Sequence, residues 1–244
     1  MRDYAKETQL RVEWLKQKMT QANASGFVFG NSGGKDCALV GILCKIACKK
    51  TIGVIMPCQS KQNYTTDTQD ALLVSKQFDI EVRRVDLTET KQTLLSALSG
   101  QTNPDYTAKG AFANINPRLR MTTLYTIAQT ENCLVIGTGN RSEIALGYFT
   151  KWGDGGYDAN PIGDLTVREV YEFLEFLNAP ISIRTKKPSA GLWEGQTDEQ
   201  ELGLTYDEVD EYLLNGNGTP QLKQRVDNAT KNTRHKRALT IYPD

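Results

Sequence analysis

The chain lacks an excess of charge of either sign: its 29 Lys and Arg are matched by 29 Asp and Glu across 244 residues. A general nucleic-acid binder would carry a strong basic excess, so that class is set aside. No apolar run reaches membrane-spanning length, and Met1-Arg-Asp-Tyr-Ala-Lys-Glu7 has no signal-peptide core, so no membrane is expected and the cytoplasm is the default compartment. The five cysteines (Cys37, Cys44, Cys48, Cys58, Cys133) are odd in number and form no Cys-x-x-Cys pair, which favours reduced thiols over disulfides or a zinc site. What is present, 39% hydrophobic and 24% charged residues, is the composition of a folded protein, long enough for one large core over residues 1–244. Charge is nevertheless unevenly spread. Lys223, Arg225, Lys231, Arg234, Lys236 and Arg237 follow an acidic stretch from Asp198 to Glu211, which suits a solvated tail or a basic arm folded over an anionic ligand.

The most informative stretch runs from Phe27 to Val40: an apolar strand, the loop Asn31-Ser32-Gly33-Gly34-Lys35-Asp36, then an apolar helix. Paired glycines adopt conformations closed to other residues, so consecutive N–H groups can face one concavity and cradle a polyanion. The helix that follows adds its positive end. Asp36 is placed to cap that helix or to hold a cation that accompanies phosphates. An ordinary strand-to-helix turn with an Asp cap would read the same way. The loop has no Gly-Lys-Ser/Thr ending and no Gly-x-Gly-x-x-Gly, which excludes those two phosphate motifs. Ser32-Gly33-Gly34-Lys35-Asp36-Cys37 instead resembles the Ser-Gly-Gly-x-Asp-Ser loop of the N-type ATP pyrophosphatases, which cleave ATP between the α and β phosphates; Cys37 stands in place of the last Ser.

Periodicity predicts helices over Tyr4–Gln21, Cys37–Cys48, Thr66–Gln77, Thr88–Leu98 and Arg118–Thr130, and strands over Gly26–Gly30, Thr51–Met56, Ile80–Val85 and Cys133–Gly137. Alternating strands and helices imply an α/β fold, a doubly wound parallel sheet with helices on both faces. Ligands of such sheets lie at the carboxyl ends of the strands, where both Gly30–Asp36 and Gly137-Thr138-Gly139-Asn140 fall. The polar stretches Gln101–Ala113 and Lys186–Gln200 read as loops able to close over a site.

Six further blocks, in register along the chain, resemble ammonia-dependent NAD synthetases. They are Asn116-Pro-Arg-Leu-Arg-Met121, Ile136-Gly-Thr-Gly-Asn-Arg-Ser-Glu143, Gly147 to Pro161, Pro188-Ser-Ala-Gly-Leu-Trp193, Gly195 to Gly203 and His235-Lys-Arg237. The resemblance implies an adenine nucleotide alpha hydrolase-like fold and an ATP-dependent amidation of deamido-NAD. The substrate carboxylate attacks the α phosphorus, pyrophosphate leaves, and ammonia displaces AMP from the acyl adenylate. It also implies Mg2+ as cofactor, a homodimer, and ATP contacts from Gly30, Asn31, Ser32, Gly33, Gly34, Lys35, Asp36, Cys37, Thr138 and Ser189. Asp36 and Glu143 would hold the metal, and Arg118, Lys151, Asp158, His235 and Lys236 the dinucleotide. Asp154, Lys151 and Asp36 are the catalytic candidates, Asp154 by binding ammonium and taking its proton, since ammonium is no nucleophile until it loses one. The length leaves no room for a glutaminase domain, so free or delivered ammonia is the expected donor.

Two positions depart from the family pattern. Val167 stands where the family commonly has a phosphate-contacting lysine, so either Lys35, Lys186 or Lys187 supplies that charge or phosphate stabilisation is weaker. Cys37, at a helix N-terminus beside Lys35, is expected to have a lowered pKa and to be reactive. Alternative readings keep the adenylylation chemistry with nicotinate mononucleotide or another carboxylate as acceptor, or retain nucleotide binding without catalysis.

Overall fold

Alternation along β1 (Gly26–Gly30) builds both faces of the sheet at once, because Phe27 and Phe29 enter one apolar cluster and Val28 the other. The computed structural model describes residues 2–58, 66–103, 109–186 and 202–238. β1 lies between β2 (Thr51–Ile55) and β4 (Cys133–Ile136), and β3 (Glu81–Arg84) pairs with β2, giving the order β3-β2-β1-β4 with every pairing parallel. In register, Phe27 lies opposite Thr51 on one side and Leu134 on the other. An isolated parallel bridge joins Ile136 to Ala159 beyond β4. β1 and β2 read as apolar runs because helices cover them on both faces. The edge strand β3 carries Glu81, Arg83 and Arg84, charges that discourage further pairing.

One face packs on α1 (Tyr4–Gln21), α2 (Lys35–Ala47) and α8 (Val167–Phe176) through Leu15, Leu39, Ile42, Leu43, Phe173 and Leu174. Each such side chain is worth roughly 1.5–3 kcal/mol on full burial. Asp3 caps α1 by accepting from the Lys6 N–H. α1 buries Tyr4, Val12 and Leu15, while Leu10 stays exposed. The other face packs on α6 (Ile115–Glu131), whose Leu124 and Ala128 meet Val28, Val54 and Val135. α3 (Thr66–Gln77), α4 (Thr88–Ala97) and α5 (Lys109–Ala113) lie between β2 and α6 in the chain. α7 (Arg141–Leu146), α9 (Ile181–Arg184), α10 (Tyr206–Asn215), α11 (Pro220–Asn232) and α12 (Arg234–Arg237) complete the helices of the described residues. A third cluster, Leu146, Val167, Tyr206, Val209, Leu222 and Val226, ties α7, α8, α10 and α11 together.

The expected elements are all present, with shifts at their ends. α2 begins at Lys35, two residues early, because Gly34 already takes the extended N-cap conformation. α6 begins at Ile115 rather than Arg118, since Pro117 sits in its first turn, where the missing N–H has no helical partner to lose. Gln101–Ala113, expected as a loop, ends in the short helix α5. Of the second expected loop only Lys186 lies within the described residues.

Candidate functional site

Two loops meet where the sheet reverses its winding: the one after β1 and the one after β4, its neighbour on the side away from β2. That position is the topological switch point at which open α/β sheets bind ligands. Asn31, buried at the end of β1, locks the first loop from inside. Its amide donates to Ser75 Oγ at 3.1 Å, and its Oδ1 accepts from the Gly33 N–H at 3.4 Å. Asn31 is therefore a brace, whereas Ser32 is exposed and Gly33 and Gly34 form the turn. Gly33 has φ +73°, and a Cβ there would lie 2.1 Å from the Asp67 carbonyl oxygen. Gly33→Ala therefore combines a left-handed backbone with a backbone clash, and we expect a loss of at least about 2 kcal/mol, or about 4–8 °C in Tm. Thermal unfolding, read beside ATP binding, checks this, and an unchanged Tm refutes it.

Asp36, in the first turn of α2, is the hub. Its Oδ2 accepts from Lys35 Nζ at 2.6 Å and its Oδ1 from Asn140 Nδ2 at 3.1 Å. Asn140 in turn caps α7: its Oδ1 accepts from the Glu143 N–H and its own N–H donates to Glu143 Oε2, both at 3.0 Å. Asp36 and Glu143, 107 residues apart in the chain by subtraction of their numbers, are thus joined through one asparagine. Lys35 is only 5% exposed. Burial alone would lower its pKa, but the Asp36 and Glu143 carboxylates outweigh burial and raise it. Its ammonium also lies 5.8 Å from the ring centroid of Tyr171 on α8. Thr138 and Gly139 bridge β4 and α7 on the same side, and the Asn160 side chain donates to the Gly139 carbonyl at 2.8 Å.

Cys37 overturns its expectation. The thiol is buried and its pKa is raised, with desolvation the largest cause; it donates to the Gly34 carbonyl at 3.1 Å and lies 3.3 Å from Ser32 Oγ. Because the thiolate is the nucleophile, this sulfur is an inert clasp of the loop rather than a reactive group. Val167 is buried at the start of α8 in the third cluster and supplies no charge. The cations near the loop come from elsewhere. Besides Lys35, Lys186 Nζ donates to the Gly33 carbonyl at 3.2 Å and to Asp67 and Asp70, each at 2.8 Å. Lys187 and Ser189 lie outside the described residues.

A second group forms around Asp154, whose Oδ1 accepts from the Thr150 N–H at 2.9 Å. Asp154 is exposed, yet desolvation by the groups packed near its carboxyl raises its pKa against that hydrogen bond and the charge of Arg120. Lys236 approaches from α12, donating to the Gly147 and Phe149 carbonyls at 2.8 and 2.9 Å. Burial lowers the Lys236 pKa, and Asp154 opposes that. Arg237 donates to the Ile144 carbonyl at 2.9 Å. The basic arm therefore closes the C-terminus of α7, where carbonyls favour cations. His235 is exposed beside it. Arg118 donates to the Lys151 carbonyl at 3.4 Å, and the Lys151 ammonium lies over the exposed Trp152 ring at 5.3 Å. The Asp158 carboxylate accepts from Tyr125 O–H at 3.0 Å and from the Val135 N–H at 2.8 Å, fastening its segment to β4 and α6.

Three contributors carry no assigned role in the sequence reading. Asn140 was legible there, since Asn-Arg-Ser-Glu is a capping-box pattern. Arg120, which donates to the Met56 carbonyl at 3.1 Å and faces Asp154, had no local signal. Neither did buried Asp210, which accepts from Ser142 O–H and, at 2.7 Å, from the Arg168 N–H, bracing α7 against the N-terminus of α8.

Known proteins resemble this chain along nearly its whole length. Residues 7–240 match the family model for NAD synthase. The NH(3)-dependent NAD(+) synthetase of Carboxydothermus hydrogenoformans is 48% identical over 99% of this chain and 98% of its own. Among solved structures, the NMN synthetase of Francisella tularensis superposes with a TM-score of 0.93 at 35% identity, covering 100% of both chains. The NH3-dependent NAD synthetase of Campylobacter jejuni superposes with a TM-score of 0.78 at 30% identity, also covering 100% of both. With the family model matched from residue 7 to 240 and a relative nearly half identical over almost the whole chain, the chain belongs to the NAD synthase family.

Proposed function

We propose that the protein condenses ammonia with the carboxylate of deamido-NAD, using ATP and releasing AMP and pyrophosphate. The observation that carries this reading is the Asp36–Asn140–Glu143 bridge beside the Gly33-Gly34 turn, at the switch point of the sheet. A carboxylate is a poor acyl donor, so its oxygen must first become a leaving group. The N–H groups of the turn and the start of α2 would hold the phosphates in line for that step. Two carboxylates with phosphate oxygens suit Mg2+, which takes one or two protein carboxylates and fills its remaining positions with phosphate and water. Bound there, it would neutralise charge on the departing pyrophosphate. Asp154, held by Thr150 and with a raised pKa, is the base for ammonium; Arg118, Lys151, Asp158, His235 and Lys236 would bind the dinucleotide, with Arg118 at the Lys151 carbonyl and Lys236 at the Gly147 carbonyl.

The chain acts as a single domain that takes free or delivered ammonia, as a cytoplasmic homodimer. Among the described residues no helix is long and apolar enough to cross a membrane. A second acceptor, nicotinate mononucleotide, has one observation behind it, the superposition with the Francisella enzyme. The curated relative closer in sequence favours deamido-NAD. A nucleotide-binding module without catalysis would have no need of Asp36, Glu143, Lys151 and Asp154 together. A coupled assay with purified protein, ATP, Mg2+, ammonium and either acceptor decides: NAD formation dependent on all components is expected. Turnover with the mononucleotide alone would move the acceptor, and no pyrophosphate with either would refute the ligase reading.

A further inference from the structure

Lys35 occupies the variable position of the loop, yet it is nearly as buried as the core. Its ammonium lies 2.6 Å from Asp36 Oδ2, within the field of Glu143, and 5.8 Å from the centre of the Tyr171 ring. A lysine head is seldom withdrawn from water unless carboxylates receive it. Here the carboxylate that receives it is Asp36, joined through Asn140 to Glu143, and these are the two assigned above to the metal. A divalent ion bonded to Asp36 Oδ2 would lie within a few ångströms of Nζ, a repulsion too strong for both to stay. The lysine stem is flexible enough to move its head without the backbone, and the Tyr171 ring offers a face on which the cation can rest meanwhile.

We infer that Lys35 is a resident counter-cation that guards Asp36 and Glu143 against a metal ion arriving alone and yields the site only when nucleotide phosphates come with the metal. Incoming phosphates give the displaced ammonium new oxygens to face, so Lys35 moves from the carboxylates to the phosphates. Metal and nucleotide binding are thereby coupled, and a bare divalent ion is excluded from the resting enzyme. Lys186 does not share this duty, because its ammonium is spent on the Gly33 carbonyl, Asp67 and Asp70. The inference rests on the reading of Asp36 and Glu143 as metal ligands.

Mn2+ binding, measured by the electron paramagnetic resonance of the free ion, tests it without turnover. Without nucleotide, Lys35→Met is expected to bind Mn2+ at least about tenfold more tightly than the unaltered protein, while Lys35→Arg, which keeps the charge, does not. Equal or weaker binding by Lys35→Met overturns the inference. Asp36→Ala separates the two claims: loss of Mn2+ binding in the presence of a non-cleavable ATP analogue supports the ligand reading, and no loss overturns both. Should Lys35→Met fail to fold, lysine ammonium resonances of the unaltered protein replace it. One slowly exchanging signal, absent from Lys35→Arg, should shift when Mg2+ and the analogue are added together but not with Mg2+ alone, and a shift with Mg2+ alone overturns the inference.

Discussion

Asp36→Asn is expected to slow pyrophosphate release by at least about a thousandfold, equivalent to about 4 kcal/mol of transition-state stabilisation. The substitution keeps the shape of the side chain and leaves an oxygen to accept from Asn140, so the bridge between the two loops can persist. What it removes is the charge that faces Lys35 at 2.6 Å and that would bind the metal beside the phosphates. Lys35 keeps the field of Glu143, so the fold should survive and the loss should be chemical. Asp36→Glu restores the charge but moves it by one methylene, and intermediate activity is expected from it. Initial-rate assays of pyrophosphate, with circular dichroism as the control on folding, measure both. More than a tenth of the original rate in Asp36→Asn would remove Asp36 from the catalytic machinery.

The framework of this site could be read from local rules because local rules build it. Strand, glycine turn and helix at 26–47 follow from a short apolar run, from Gly33 at positive φ and from an apolar helix with Asp36 in its first turn. Strand–helix alternation placed Gly30–Asp36 and Gly137–Asn140 at the carboxyl ends of parallel strands, and the β1–β4 pairing makes those ends neighbours. The environment of each side chain was less legible, because it depends on residues distant in sequence. Cys37 reads as an activated thiol at a helix start, yet the core around it removes the water a thiolate needs. Asp158 reads as a substrate contact, and its carboxylate also ties its segment to α6 and β4 by accepting from the Tyr125 O–H and the Val135 N–H. The basic run at the end of the chain reads as an arm for anions, but Lys236 and Arg237 first satisfy the carbonyls that end α7. In each case burial or a backbone partner, rather than residue type, decides what the group does.

Asp154→Asn should separate the two halves of the reaction, since adenylylation needs no base for ammonium. Burst-phase pyrophosphate release is expected to persist, whereas amide formation falls by about 10²–10⁴-fold, the usual contribution of a positioned base. The pH dependence follows from the sign of the shift at this carboxyl. Desolvation raises its pKa, so the group becomes protonated, and useless as a base, at a higher pH than an ordinary aspartate would. Amidation by the unaltered protein should therefore lose rate on acidification before adenylylation does. In the Asn variant that limb disappears. Its residual amidation should instead climb steadily with pH, because the fraction of ammonium already deprotonated in solution then sets the rate. Glutamate at the same position, able to accept the proton but one methylene longer, should recover part of the loss at neutral pH. Equal losses of pyrophosphate release and amide formation in Asp154→Asn would place this residue in substrate binding instead, and the base would have to be sought among the other groups around Lys151.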